Sequence, residues 1–371
     1  MSYRKARLEK IWDWMGQEGI ALVMLEDFEP RRDSSIRWLS GHPGDALLFL
    51  SADRRSLLTP WDMIIAQSCA EADIIVPYND FDRSPVKALR GAAERLGVPP
   101  GSKVEIPSAT PYPAFLGCVG DLSDFDVICR ENGASERALE LRAVKDVEEA
   151  GILREAAGIT NEIIDLLEKK TRAGKIATEA DAALLIEIES RKRGCEGASF
   201  QILAAGPDRS FGIHAFPAWT AAPFATQGLS ILDFGVRFRG YCTDVTLTFA
   251  RDPNPAQQKM MELVEKSYEA AKNALAPGRD AQSVAAIVDE VFAKSKKTMA
   301  HGLGHGVGLD VHEYPVLRSR NKKPWELAPG MAFSIEPGVY DPEHGGCRLE
   351  NDFLITEDGC EKLTDARIIR L

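Results

Sequence analysis

A chain of 371 residues, of which 44% are apolar and 27% are charged, is long enough for two domains of ordinary size with packed cores. Its net charge of −11 argues against a nucleic-acid-binding protein, because surfaces that bind phosphate backbones are usually basic. No apolar run approaches the roughly 20 residues of a membrane helix, and residues 1–19 predict an amphipathic helix rather than a signal peptide. We therefore expect a cytoplasmic protein that binds neither nucleic acid nor a membrane.

The first part of the chain alternates short apolar runs with polar turns, which is the pattern of an α/β domain. Six of these runs predict strands, at 20–25, 45–50, 56–60, 73–78, 103–107 and 124–130. Residues 85–97 predict a helix that ends at its glycine. A polar segment, 130–136, follows as a linker, so we place a first α/β domain at residues 1–134.

The remainder, residues 135–371, is predicted to form an α+β domain with two pseudo-symmetric halves. It begins with a long helix over about 135–171, broken once near 142–145. Segments 167–194 and 268–297 then share one order: a helix, a glycine-containing turn and a second helix.

A Gly- and β-rich region follows each helix pair, at 198–250 and at 299–369. Two such halves would meet in a cleft. Chance similarity between amphipathic helices is the alternative explanation of the repeat.

The seven cysteines are odd in number and include no CxxC pair. This pattern is typical of free, mostly buried thiols in a reducing compartment. It argues against a disulfide framework and against a thiolate zinc site.

Residues 231–249 predict a β-hairpin that carries two aspartates. A turn centred between Phe238 and Arg239 would place Asp233 directly opposite Asp244, with Cβ atoms about 5 Å apart. Two carboxylates held together among apolar neighbours repel each other, and a cation between them removes the repulsion. The alternative is the exposed face of a surface hairpin, which the apolar flanking residues disfavour.

A second acidic group is predicted in residues 331–356, as two strands around a Pro- and Gly-rich loop. Glu336 ends the first strand, and alternation in the return strand places Arg348, Glu350 and Asp352 on one face. Buried glutamates are rare unless they are paired or bound to metal. A solvated face is again the alternative.

Residues 300–313, AHGLGHGVGLDVHE, contain three of the six histidines of the chain. His301 and His305 are spaced as on one face of a helix, but the interspersed glycines disfavour a helix and favour an irregular strand. Histidines of this segment and the four carboxylates form an oxygen-rich ligand set. It suits two adjacent divalent ions and does not suit a structural zinc site, which prefers Cys and His.

In this order the motifs resemble those of the creatinase, prolidase and aminopeptidase P family, whose catalytic domain has the pita-bread fold. The motifs are two aspartates eleven positions apart, then HGLGHGVGLDVHE, IEPGVY and RLEND. The resemblance covers nearly the whole chain, including SSIRWLSG at 34–41 and ELRAVKDVEEAGILREAAGIT at 140–160. It implies a metallopeptidase that cleaves Xaa-Pro bonds, of the aminopeptidase P or prolidase type, and it suggests a homodimer.

The resemblance also implies two divalent metal ions, with Mn²⁺ favoured and Co²⁺, Zn²⁺ or Fe²⁺ as alternatives. Asp233 would bind one ion, and Asp244 and Glu350 would bridge both. His305 and Glu336 would complete the second site. Adjacent ions lower the pKa of a bridging water, so that hydroxide is available near neutral pH, and Glu336 would carry the proton to the leaving nitrogen.

Three histidines and an arginine match family positions around the substrate. His214 would lie on the substrate side of the cleft, and His301 near the leaving group. His312 would steady the carbonyl oxygen and the tetrahedral intermediate. Arg348 would orient the bridging carboxylates or meet a substrate carboxylate.

Three departures from the family pattern leave the substrate open. Leu247 replaces an arginine that often follows the second aspartate, and Val316 stands where many prolidases have a basic residue for the dipeptide carboxylate. The segment 26–35 is longer and more charged than its usual counterpart in the family. The alternatives are a metal-dependent hydrolase of a small non-peptide C–N substrate, a metal-free creatinase-like enzyme and a non-catalytic binding protein.

His42 and His344 match no catalytic motif and are expected to be loop or surface residues.

Overall fold

The structure is a computed structural model, and it describes residues 2–371. The chain divides into two compact units, Met1–Leu141 and Arg142–Leu371. Each unit has its own sheets and its own apolar core. Within residues 2–371, no helix combines the length and the apolar character needed to cross a membrane. The separate roles assigned from sequence to residues 1–134 and 135–371 stay a prediction.

The first unit is built on one mixed sheet of six strands. Its strands are β1 (Leu22–Asp27), β2 (Ala46–Ser51), β3 (Arg55–Pro60), β4 (Ile74–Ile75), β5 (Lys103–Ile106) and β6 (Asp126–Cys129). They lie in the order β4-β3-β2-β1-β5-β6, with β1–β2 and β2–β3 antiparallel and the remaining pairs parallel. Each of the six predicted strands overlaps one of these, which confirms the predicted α/β class.

Helices of the first unit cover the sheet. They are α1 (Tyr3–Glu18), α2 (Ser35–Ser40), α3 (Met63–Cys69), α4 (Pro85–Leu96) and α5 (Tyr112–Asp121), and α6 (Ala134–Arg142) crosses the unit boundary. Helix α4 shows how the sequence sets these limits. The Ser84 side chain caps its first turn, a proline stands at its start, and Gly97 ends it in the left-handed conformation with φ 72°.

His42 lies in a loop, one of the two positions expected from the sequence, and it is fully buried there. Gly41, with φ 79°, ends α2, and the His42 N–H then donates to the Ser40 hydroxyl, so the chain turns inward immediately after the helix. His344, by contrast, lies half-buried in a turn of the second unit, as expected of a loop residue.

The second unit holds four helices and fourteen strands. The helices are α7 (Val147–Arg172), α8 (Glu179–Lys192), α9 (Pro255–Lys272) and α10 (Ala281–Lys294). The strands of the first half are β7 (Gly197–Ala198), β8 (Leu203–Ala205), β9 (Gly228–Phe234), β10 (Val236–Phe238), β11 (Tyr241–Cys242) and β12 (Val245–Arg251). Those of the second half are β13 (Gly304–Gly306), β14 (Glu313–Leu317), β15 (Ala332–Ile335), β16 (Gly338–Asp341), β17 (Gly345–Arg348), β18 (Asn351–Ile355), β19 (Cys360–Lys362) and β20 (Ile368–Arg370).

The order of elements confirms the predicted internal repeat of a helix pair followed by strands. Helix α8 begins after a capping box in which Thr178 and Asp181 bond each other's backbone, and α10 begins at Ala281, capped by Asp280 after the Gly278 turn. The sheets have the orders β11-β10-β7, β20-β12-β9-β8, β14-β13-β15-β18-β19 and β16-β17. One continuous apolar core packs against strands and helices of both halves. The long helix at the start is broken between α6 and α7, as predicted.

The register of the first hairpin differs from the prediction. Asp233 pairs with Thr246, two residues further along than Asp244. The turn is centred on Arg239 and Gly240, whose φ angles of 49° and 89° suit a two-residue hairpin turn with glycine second. Because the side-chain period of a strand is two, a shift of two leaves both aspartates on the same face as diagonal neighbours.

Residues 331–356 form two nested hairpins instead of two strands around a loop. Strand β15 pairs with β18, and the Pro- and Gly-rich stretch between them is itself the hairpin of β16 and β17. The Asp341 side chain accepts hydrogen bonds from the N–H groups of Glu343 and His344, which closes this inner turn. Glu336 and Glu350 therefore lie just outside the strands, where the chain passes from one hairpin to the other.

Close packing against neighbouring backbone explains Gly304 and Gly306 within residues 300–313, and it gives a stability prediction. A Cβ at Gly304 would lie 1.9 Å from the Ser334 carbonyl oxygen, whereas one at Gly158 in α7 would meet nothing within 4 Å. We expect Gly304→Ala to destabilise the protein by about 1–3 kcal/mol or more. Gly158→Ala should stabilise it by about 0.5–1 kcal/mol. Urea unfolding of both variants measures the difference, and equal midpoints would contradict the packing argument.

Candidate metal centre

Two strands of the first half bring Asp233 and Asp244 to one face of the sheet. Asp233 is the penultimate residue of β9, and Asp244 directly precedes β12. Both side chains are buried, and the Oδ1 atom of each has no hydrogen-bond partner within the described chain. Buried polar atoms almost always have a partner, so these two oxygens point to a ligand.

Glu350 joins this face from the second half of the unit. It forms an isolated β-bridge with Thr246, whose hydroxyl donates to Glu350 Oε2 at 2.8 Å. Asp352, two residues on, accepts a 2.9 Å hydrogen bond from the backbone N–H of Asp244. One ligand atom each from Asp244, His305 and Glu350 lie within 4.8 Å of one another. Both halves of the unit therefore contribute to one carboxylate–histidine group.

His305 reaches the group from strand β13, where a register irregularity follows it. Its Nε2 atom lies 3.6 Å from Asp244 Oδ2 and 3.8 Å from Glu336 Oε1. Its Nδ1 atom lies 3.2 Å from the Gly306 carbonyl oxygen. A proton on Nδ1 would be donated to this carbonyl and would leave the Nε2 lone pair facing the carboxylates, as in a metal-binding histidine. Burial and the neighbouring His312 lower the pKa of His305 to about 4, so the ring is neutral.

The carboxylates are electrostatically crowded. Burial raises the pKa of Asp244 and Glu336 well above their usual range, and in both cases the charge of Glu350 raises it further. Burial and the charge of Asp233 raise the pKa of Glu350 itself to about 7. A bound cation would reverse this repulsion, because an opposite charge at close range favours the ionised carboxylate.

Arg348 provides the positive charge within the group. Its Nη2 donates to Asp233 Oδ2 at 2.6 Å and its Nε to the Thr246 hydroxyl at 2.9 Å. Its Nη1 donates to the Tyr340 hydroxyl at 2.7 Å and to the Ile213 carbonyl at 3.1 Å. The side chain is only 2% exposed, so these protein groups occupy the guanidinium.

The three remaining predicted histidines lie around this group at different depths. The His312 ring is 4.2 Å from the His305 ring, centre to centre, and it is exposed. His301 is half-buried, with Nε2 2.9 Å from the Tyr340 hydroxyl and Nδ1 3.6 Å from Glu336 Oε2. Burial lowers the pKa of His301 to about 4 and also lowers that of His312, and a charge on exposed His214 contributes to both shifts. The structure thus brings all nine predicted site residues into one region.

Three further residues belong to the group and were not predicted as site residues. Thr246 touches Glu350 and Arg348, Tyr340 touches His301 and Arg348, and Asp352 holds the Asp244 backbone. Their sequence signals were present but weak. Tyr340 ends the IEPGVY motif, and Asp352 alternates with Glu350 along the strand.

Comparison with known proteins agrees with this geometry. The family model of metallopeptidase family M24 matches residues 151–357. An uncharacterized peptidase of Methanocaldococcus jannaschii is 34% identical over 237 residues, which are 63% of this chain and 67% of that protein. A Xaa-Pro dipeptidase of Pyrococcus horikoshii is 26% identical over 373 residues, which are 98% of each chain. The solved Xaa-Pro dipeptidase from Bacillus anthracis has a TM-score of 0.85 at 24% identity, covers 99% of this chain and 100% of its own, and shares the fold.

The fold shared with that structure confirms the predicted class, an α/β first domain followed by a pita-bread domain. The M24 match spans more than half of the chain and contains the whole carboxylate–histidine group. The protein therefore belongs to metallopeptidase family M24 and is a metallopeptidase.

Proposed function

We propose that the protein hydrolyses peptides at Xaa-Pro bonds, using two divalent metal ions held by the buried acidic group. The proposed ligands are Asp233, Asp244, His305, Glu336 and Glu350. The observation that carries this proposal is the convergence of four carboxylates and one neutral imidazole in a buried site, with an unpartnered oxygen on each aspartate. A site rich in oxygen ligands with one nitrogen suits Mn²⁺ first, and Co²⁺, Zn²⁺ or Fe²⁺ as alternatives.

Two such ions, when bound, supply a nucleophilic water of lowered pKa and polarise the scissile carbonyl. Glu336 is the proposed proton carrier, because it borders the group at 20% side-chain exposure, where an attacking water can reach it. A carboxylate beside the attacking water can accept its proton and release it to the leaving nitrogen.

The histidines around the group are the proposed hydrogen-bond donors to the substrate. An imidazole N–H can donate to a developing oxyanion, and His312 and His214 are exposed where substrate can reach them. His301 is oriented by its contact with the Tyr340 hydroxyl, and it faces the leaving group in this proposal. Arg348 orients Asp233, since its burial and its four hydrogen bonds within the protein leave little access for a substrate carboxylate.

A cavity of about 640 Å³ opens beside His301 and suits the leaving part of a short peptide. Lys297, Arg318 and Arg320 line it against one acidic residue, Asp289, so its net charge is positive, which favours a terminal carboxylate. Many prolidases have a basic residue for the dipeptide carboxylate at the position of Val316, which lies on strand β14. In this chain, Arg318 is two residues further along. The name of the Pyrococcus horikoshii relative, a Xaa-Pro dipeptidase, supports the same substrate class.

Metal content and substrate choice test the proposal directly. Purified protein is loaded with Mn²⁺, its bound metal is measured, and it is assayed on Xaa-Pro dipeptides and on longer Xaa-Pro-Yaa peptides. We expect two ions per chain and cleavage on the amino side of proline. Less than half an ion per chain would contradict the metal centre. Full metal content without Xaa-Pro cleavage would favour the alternative, a small non-peptide C–N substrate.

The substitution Asp244→Asn tests the role proposed for a bridging ligand. Because the amide removes the charge but keeps the shape, we expect the loss of at least one metal ion and of nearly all turnover, with the fold retained. Metal analysis, kcat and circular dichroism measure these effects. The matched control is His344→Ala, a residue in the β16–β17 turn, which should keep both metal and activity. Retained activity in the Asp244→Asn variant would contradict the proposed ligand set.

The thermal stability of the metal-free protein is expected to fall as the pH rises. In the metal-free protein, burial raises the pKa of Glu350 from 4.5 to about 7. A carboxyl group with a higher pKa in the folded state costs stability as the pH rises from its unfolded-state pKa to its folded-state pKa. The Tm of EDTA-treated protein should therefore fall between about pH 5 and pH 7, and its gap to the Mn²⁺-loaded protein should widen. A gap that is constant or narrows over this range would contradict the prediction.

A further inference from the structure

The segment 206–222, which we call the His214 loop, connects strands β8 and β9 and borders the metal centre. It carries exposed Phe211, His214 and Phe216, and it has no regular secondary structure. A loop of this length needs contacts that hold it if His214 is to meet a substrate in a reproducible place. Those contacts come largely from one buried carboxylate, that of Glu179.

Glu179 is the first residue of helix α8 and is completely buried. Its Oε1 accepts hydrogen bonds from the Gly206 N–H at 2.8 Å and from Arg209 Nε at 2.9 Å. Its Oε2 accepts from the N–H and the hydroxyl of Thr220 at 2.7 and 2.6 Å. One carboxylate thus binds both ends of the His214 loop, and its place at a helix N-terminus stabilises its negative charge.

Arg209 extends this hold into the middle of the loop. While its Nε pairs with Glu179, its Nη2 donates to the Pro217 carbonyl oxygen, three residues after His214. The backbone of α8 contributes as well, since the N–H groups of Glu179 and Ala180 donate to the carbonyls of Ala222 and Thr220. These bonds use donors that a helix start otherwise leaves unpaired.

Residues 210–213 of the loop contact strand β17, which ends at Arg348 beside the metal centre. The Ser210 hydroxyl accepts from the Gly346 N–H at 3.0 Å, and a Cβ at Gly346 would lie 2.1 Å from the Ser210 carbonyl oxygen. The Ile213 carbonyl accepts from Arg348, whose other nitrogen holds Asp233. Hydrogen bonds therefore hold the loop at both ends through Glu179, and hold its middle at Ser210 and at Ile213, the residue before His214.

We propose that Glu179, with Arg209, is a positioning residue that places His214 against the substrate without taking part in metal binding. The expected effect of Glu179 on catalysis rests on the proposed function. The ordering of residues 206–222 by Glu179 does not depend on which reaction the protein catalyses.

The test combines Glu179→Gln with amide hydrogen exchange and kinetics. The amide side chain loses one of the two acceptor oxygens, so residues 206–222 should exchange at least tenfold faster, while metal content stays that of the unaltered protein. Glu187→Gln is the matched control, because Glu187 lies on the same helix but pairs with Arg191 at the surface. Unchanged exchange in Glu179→Gln, or equal acceleration in both variants, would overturn the proposal.

A double-mutant cycle with His214→Ala tests whether Glu179 acts through His214. We expect Glu179→Gln to lower kcat/KM by about 10- to 100-fold. If the two residues act in series, the double variant should stay within about threefold of His214→Ala alone, whereas a general structural role gives losses that multiply. Multiplying losses would overturn the proposal.

A milder variant covers the case in which Glu179→Gln does not fold. Arg209→Met removes the hydrogen bonds to Glu179 and Pro217 at a partly exposed position. It should also accelerate exchange of residues 206–222 and lower kcat/KM, but by smaller factors than Glu179→Gln. No change in either measurement would overturn the proposal. An unaltered protein that hydrolyses none of the peptides would contradict the proposed function, and the exchange measurement would still decide the positioning role.

Discussion

Mutual repulsion among buried carboxylates is the constraint on which the rest of the second unit depends. Asp233, Asp244, Glu336 and Glu350 lie in a site that water reaches poorly, where unpaired charge is costly. Arg348 compensates part of that charge through Asp233. The raised pKa values of the other three groups show that the compensation is incomplete in the protein alone. The pair of divalent cations that we propose would complete it and would supply the chemistry of a metallopeptidase.

The fold meets this constraint by drawing the proposed ligands from both halves of one pseudo-symmetric unit. The first half supplies one aspartate on β9 and one directly before β12, and the second supplies a histidine on β13 and two glutamates just outside strand ends. Thr246 stands between the halves, since it pairs with Asp233 in the sheet and donates to Glu350 across the bridge. Strand-borne ligands are more rigid than loop-borne ones. His214, which is not a proposed ligand, lies on a loop, and we propose that the buried carboxylate of Glu179 positions it.

Much of this arrangement could be predicted from the sequence, because short local sequence patterns determine it. Strand runs, capping residues and the order of the acidic and histidine motifs each depend on neighbours a few positions away. The shift in the first hairpin could not be predicted as easily. It depends on whether Arg239 accepts a positive φ beside Gly240, which a sequence pattern leaves open. Burial of His42 likewise depends on packing around α2 and not on the polar character of its loop. Glu179 looked like an ordinary first-turn helix residue, since its partners lie 27 to 41 positions away.

The metal positions themselves test the central claim most directly. Crystals of the Mn²⁺-loaded protein, measured near the manganese absorption edge, would locate the ions by anomalous scattering. We predict two peaks about 3.5–4 Å apart, between Asp244 and Glu350, with one near His305 and Glu336 and the other near Asp233. A single peak, or peaks away from these carboxylates, would contradict the account.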